Sequence, residues 1–384
     1  MAVRVIVAGA IAHSPIHAGG VAWAFLQYVL GFRQLGCEVL YVEHLDDKDC
    51  IDAQWRPAAF AASANAAVFT ALVDRYGLGD SAALLQRDGE AAIGVSRRAV
   101  GEWADGADLL VNLSGRFHLR EILRAVRRRV YVDLDPGFTQ IWQAQYGADM
   151  NLPGHDAYVS VGLNLGRPGC AVPTLGLRWH PLCPPVVRAE WRPLAEAGAT
   201  YTTVADWRGY APIEWEGVWY KQKADELLRV IELPQRTPCR LEICLAIDPA
   251  EPDLPRLRRH GWHLSAPAVH ASDSETYRDY VRRSRGEFSV AKHGYVVGRT
   301  GWVSDRTACY LAAGRPAVVQ DTALRAHLPV GEGLLVFAEP DDAVRALADV
   351  ERDYARHARA AQALAERSFD SDRVLSGLLD IAGV

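Results

Sequence analysis

The chain has 384 residues, 49% of them apolar and 23% charged, the profile of a soluble globular protein too long for one ordinary core. A formal net charge of −5 gives no broad basic excess with which to neutralise nucleic-acid phosphates. Seven cysteines, an odd number with no C-x-x-C pair, favour reduced thiols and a cytoplasmic setting, and no apolar run is long enough for a signal or a membrane span.

Strand and helix signals alternate along the first half. Val3–Ala8 reads as a buried strand, Val21–Leu35 as a helix stopped at Gly36, and Glu38–Val42 as a strand. Pro57–Tyr76 reads as a long alanine-rich helix. Leu109–Asn112 is a strand, Leu119–Arg128 a helix closed by the basic run Arg127–Arg129, and Val130–Leu134 and Tyr158–Val161 are strands. A proline-rich span, Trp179–Pro193, interrupts the pattern as a linker. Beyond it come strand Tyr201–Ala205, helix Gly217–Ile231, strands Arg240–Ala246 and Trp262–Leu264, helix Ser274–Arg285 and strand Phe288–Ala291. A helix opening at Ser304, strands Ala317–Val319 and Gly333–Phe337, and terminal helices over Pro340–Ile381 complete the chain. This pattern predicts an α/β protein of two Rossmann-like domains facing across a cleft: residues 1–180, a linker at 181–193, and 194–384 with the terminal helices. Ligands of such sheets bind at the C-terminal ends of the strands.

Several segments sit at those ends. The loop Gly9–Gly20 after the first strand lacks G-x-G-x-x-G, which argues against a dinucleotide cofactor. It carries His17 as a candidate acid/base or substrate-contacting group, with Gly19 and Gly20 bringing backbone close to a ligand. Val130–Asp135 ends a strand in Asp133-Leu134-Asp135. Such a D-x-D pair either holds a divalent cation or forms a turn, and Asp135 is a candidate for orienting an acceptor hydroxyl. Arg208, in Ala205-Asp206-Trp207-Arg208-Gly209, places a cation where a phosphate would lie. In a chain where lysine is scarce, Lys292 stands at a strand end beside His293 and Gly294. The segment Arg299–Asp321 joins a turn at Gly301 to a helix capped by Ser304 or Asp305, followed by Arg306, and its free N–H groups suit an anionic ligand. No Ser/His/Asp elbow, phosphate loop or H-E-x-x-H is present.

The segment GWVSDRTACYLAAGRPAVVQDTALRAHLPVGEGLLVF, with EFSVAKHGY before it, resembles the C-terminal half of GT-B glycosyltransferases. TVADWRG and HAGGVAWAFLQYVLGFRQLGCEVLYVEHL are similar to a bacterial subfamily of that group, so the resemblance covers most of the chain. It implies a glycosyltransferase moving a sugar from a nucleotide diphosphate sugar, bound mainly by the second domain, to a small acceptor bound mainly by the first. It also implies no obligatory metal or other cofactor, and it points to natural-product or antibiotic assembly. Ser304 then meets the diphosphate together with Gly301, Asp305 and Arg306; Lys292, His293 and Arg208 supply the cationic side; His17, Gly19 and Gly20 form the first-domain loop. Cys309 stands where many retaining members carry a ribose-binding glutamate. The alternatives are a catalytically idle nucleotide- or sugar-binding protein of the same fold, and a metal-dependent transferase using Asp133 and Asp135.

Overall fold

A computed structural model describes residues 2–16 and 19–384. The first sheet contains β1 (Arg4–Ala8), β2 (Glu38–Leu45), β3 (Ala82–Gln86), β4 (Ala92–Gly94), β5 (Leu109–Leu113), β6 (Arg128–Asp133), β7 (Ala157–Ser160) and β8 (Trp179–Pro181). Its order is β4-β3-β2-β1-β5-β6-β7-β8, parallel except for the β3–β4 pair. The second domain begins with β9 (Thr200–Asp206), followed by a hairpin of β10 (Ile213–Trp215) and β11 (Val218–Tyr220). Strands β12 (Arg240–Ala246), β13 (His263–Ser265), β14 (Gly286–Ser289), β15 (Ala317–Gln320) and β16 (Leu334–Phe337) complete an all-parallel sheet ordered β13-β12-β9-β14-β15-β16. Val5, Ile6, Leu110, Val111, Val130 and Val132 are fully buried, as strands covered by helices on both faces require. The expected α/β pair of Rossmann-like domains is the architecture observed.

This order fixes where a ligand can bind. The strand sequence reverses between β1 and β5 in the first sheet and between β9 and β14 in the second, and the crevice of an open α/β sheet lies beyond the carboxyl ends at that reversal. The loops after β1, β5 and β6 therefore face those after β9 and β14.

Local chemistry accounts for most departures from the predicted elements. The helix expected over Gly217–Ile231 begins at Lys223, because Glu216 (φ 50°) and Gly217 (φ 78°) make the two-residue turn of the hairpin. The helix expected from Pro57 begins at Ala64, where Ser63 accepts a hydrogen bond from the Ala66 N–H. Arg128 and Arg129 do not close a helix but start β6, Arg129 being paired with Asp156 at 2.9 Å. The span read as a linker opens with edge strand β8. The last helix, Ser371–Ala382, does not belong to the second domain in space. The chain crosses back beside the linker, with the Val186 N–H donating to Phe369 O (2.7 Å) and the Ser371 N–H to Val186 O (3.0 Å). Leu375 then packs so closely on Gly31 of the first helix that a Cβ there would lie 2.6 Å away.

The second domain is organised around a buried ion pair. Glu287 of β14, 0% exposed, accepts from Arg306 Nε at 2.8 Å, and Arg306 also donates to Val204 O at 2.8 Å. Arg306→Met would leave the carboxylate unpaired in the interior and is expected to lower stability by about 3–5 kcal/mol. Urea titration checks this, with the double variant Glu287→Met/Arg306→Met recovering much of the loss.

Candidate active site

Asp135 is placed by its neighbour. Asp133, fully buried at the end of β6, accepts from Thr139 Oγ1 (2.9 Å), Gln140 Nε2 (2.9 Å), Ser160 Oγ (2.7 Å) and the Asp135 N–H (3.0 Å). Burial raises its carboxyl pKa against the pull of these hydrogen bonds. Asp133 is thus a turn-holding residue inside the protein and offers no oxygen to a cation in the cleft. Asp135, two residues on, points into the cleft. It accepts from Lys292 Nζ (2.9 and 3.0 Å), from Tyr210 Oη (2.7 Å) and from the Tyr295 hydroxyl. The carboxylate comes from the first domain and all three donors from the second. Lys292 also lies over the rings of Tyr210 (4.4 Å), Phe138 (5.0 Å) and Tyr295 (5.2 Å). Burial, then the Asp135 charge, pushes both tyrosine hydroxyls up, so they remain donors.

A second amine approaches the same region. Lys223, at the start of helix Lys223–Arg229, is lowered to about 7 by desolvation, then by repulsion from Arg306 and Lys292, with Asp206 and Asp305 pulling the other way. It makes no ion pair or side-chain hydrogen bond among the described residues. A lysine in that state takes its charge most readily beside an added anion. No motif marks it in the sequence; its place three residues beyond the hairpin that follows β9 was the available signal.

The remaining sequence candidates are distributed differently. Arg208 turns to Asp253 (3.2 Å) and Glu251 (3.5 Å). His293 places Nε2 3.9 Å from Glu226, a buried carboxylate also held by Arg229 (3.0 Å) and Gln320. Ser304 caps its helix as expected, accepting from the Arg306 N–H at 3.2 Å, but it is 5% exposed. Arg306 is committed to Glu287, and burial raises the Asp305 carboxyl where it meets Tyr28 and Gln27 of the first helix in a 110 Å³ cavity. The helix start expected to hold a pyrophosphate thus borders this cavity, with the Ser304 hydroxyl and the Arg306 guanidinium already engaged within the protein. Cys309 is buried and accepts from Gln27 Nε2 at 3.6 Å, so no ribose contact arises there.

The three glycines serve domain contact. A Cβ at Gly19 would lie 2.2 Å from Asp273 O, and one at Gly20 3.1 Å from the Tyr277 ring. Gly301 (φ 68°) admits the Asn164 N–H, which a Cβ would approach to 2.9 Å. These close approaches explain the glycines without a ligand. His17 lies outside the described residues.

On the first-domain side Asp135 lines a 470 Å³ pocket with Thr139, Trp142, Arg116, His118 and Asp149. Its floor is the loop after β5, bent by Ser114 (φ 55°) and Gly115 (φ 61°), where a Cβ on Gly115 would strike Tyr131 and Met150 O at 2.6 Å. Ser114-Gly115-Arg116 carry no motif that marks them in the sequence. Among the described residues no group of three or more His, Cys, Asp or Glu has the arrangement of a metal site, and no helix is long and apolar enough to cross a membrane.

No family model matches the chain, and no curated protein matches it in sequence. Solved structures match along its whole length. An alpha-glucosyltransferase in complex with UDP-glucose and DNA superposes with a TM-score of 0.60 at 12% identity, covering 100% of both chains. HepE from Anabaena in complex with UDP gives 0.55 at 11% identity, covering 98% of this chain and 99% of that one. AviGT4, a glycosyltransferase involved in avilamycin A biosynthesis, gives 0.54 at 14% identity over 99% and 97%. The fold of this chain is the GT-B fold of these glycosyltransferases.

Proposed function

We propose that the protein is a glycosyltransferase that moves a sugar from a nucleoside diphosphate sugar to a hydroxyl of a small acceptor seated in the Asp135 pocket. The observation that carries this reading is the Asp135–Lys292 contact. It sets a carboxylate from one sheet's crevice against a cation from the other's, where a donor and an acceptor can meet. Lys292 and Lys223 neutralise the leaving diphosphate by preorganised charge, and Asp135 orients and deprotonates the acceptor hydroxyl. Two cations in that position supply the electrostatic work of a divalent ion, so transfer proceeds without a metal. UDP is the first nucleotide to test, since it accompanies both the alpha-glucosyltransferase and HepE structures. The pocket volume falls in the ordinary range for small-molecule sites. A natural-product acceptor is the reading that AviGT4 supports.

The experiment is a thermal-shift panel of nucleoside diphosphates followed by donor-hydrolysis assays with and without a chelator. Stabilisation by one nucleotide and chelator-resistant turnover of its sugar conjugate are expected. Binding with no turnover of any conjugate would return the chain to an idle binding protein, and loss of turnover in chelator to metal dependence.

A further inference from the structure

The Asp135 pocket has a neighbouring recess across one shared wall residue. Asp149 lines it and also lines a second recess of 250 Å³, whose other walls include Arg120, Arg124, Arg129 and His155. Arg120 and Arg124 stand four apart on the short helix Arg120–Ala125, a spacing that puts them on one face. Arg116 stands at the entrance, in the first pocket. Neighbouring arginines have carboxylate partners: Arg97 has Glu121, Arg127 has Asp108 and Arg129 has Asp156. Arg116, Arg120 and Arg124 have none among the described residues. The facing carboxylate is Asp149, and its Oδ1 is engaged by the Asn151 N–H at 2.8 Å. Burial, with the charge of Arg129 adding to it, holds His155 below its ordinary pKa, and burial with the charge of Arg87 does the same for His118.

Guanidinium forks at the end of a pocket whose other end holds the reacting carboxylate match an elongated acceptor with its negative charge away from the reacting hydroxyl. All three residues are exposed, so a ligand in the recess can reach their guanidinium groups. Resting on the transferase reading of the cleft, we propose that the acceptor carries an anionic group, phosphate or carboxylate, gripped by Arg120 and Arg124 while its hydroxyl lies at Asp135. Arg116 bridges the two recesses and steers the anion inward.

The test titrates glucose, glucose 6-phosphate and glucuronate as probes into the full chain saturated with UDP, using calorimetry. A charged sugar is expected to bind about tenfold or more tightly than glucose, and the phosphate and carboxylate arms separate the two sources of charge. Arg120→Ala/Arg124→Ala is expected to erase that preference and leave UDP affinity unchanged. Equal affinities, no binding of either charged sugar at millimolar concentration, or a preference that survives the double variant overturns the proposal. Failure of UDP itself to bind the intact chain would instead defeat the transferase reading, so the two failures are distinct.

Discussion

Asp135→Asn is expected to depress sugar transfer by about 10²–10⁴-fold and, in the same protein, to tighten nucleoside diphosphate binding by about tenfold. The two readouts move in opposite directions because Asp135 has two relationships. Toward the acceptor it is, in the proposed function, the proton-accepting group, and an amide there has no basicity to offer. Toward Lys292 it is a competitor: the amine already sits 2.9 and 3.0 Å from the two carboxylate oxygens and must be drawn to the donor's phosphates. The pair is only partly shielded, with side-chain exposures of 19% and 25%, so its strength is that of a partly solvated bridge and is within reach of a diphosphate carrying several charges. Tyr210 and Tyr295 donate to opposite carboxylate oxygens, so the amide oxygen keeps one of these donors and the amide NH2 meets the other hydroxyl, which can rotate to accept. Initial rates and calorimetric titration with UDP on one preparation check both effects. A parallel fall in affinity would show that Asp135 supports the donor and does not compete with it.

What the sequence made legible, and what it did not, follows from the range of the forces involved. Periodicity and capping act over a few residues, so the alternating strands and the Ser304 cap were readable. Asp135 and Lys292 were each singled out at a strand end, yet their union spans 157 residues and depends on how two sheets face each other. The same long-range packing sets the surroundings of the helix at Ser304: its amide-lined start is legible locally, whereas the cavity it shares with Tyr28 and Gln27 of the first helix is not. Gly19, Gly20 and Gly301 were read as ligand-approaching glycines, whereas the groups they admit here, the Asp273 and Asn164 backbone and the Tyr277 ring, belong to the opposite domain. Lys223 was hidden by a turn. With Gly217–Ile231 read as one helix, nothing marked Lys223 as the first residue after a hairpin connection. The return of Ser371–Ala382 to the first domain depends on a notch at Gly31, far away in the chain.

Lys223 supplies the sharpest test of where the diphosphate lies, because its charge is poised. In the free protein its pKa is about 7, against an ordinary value of 10.5, with burial the main cause and the charges of Arg306 and Lys292 next. At pH 8.5 the amine is therefore mostly neutral. A diphosphate bound beside it favours the ammonium form and raises the pKa, so binding at pH 8.5 should draw in close to one proton. At pH 6 the amine is already charged and has little left to take up. The phosphate's own titration near pH 6 is common to native and variant proteins and cancels in their difference. Calorimetry of UDP binding in two buffers of different ionisation enthalpy measures the uptake. Lys223→Met is expected to abolish it at pH 8.5 and to weaken binding by about tenfold or more at pH 6, where the lost group carried a full charge. The same depressed pKa has a consequence for stability. Between about pH 7 and pH 10.5 the unfolded chain holds the proton that the folded chain has released, so this residue makes stability rise with pH across that window. In Lys223→Met that part of the slope should vanish. If proton uptake on UDP binding is the same in native and variant proteins, the diphosphate does not lie against Lys223, and Lys292 must meet it from another side of the cleft.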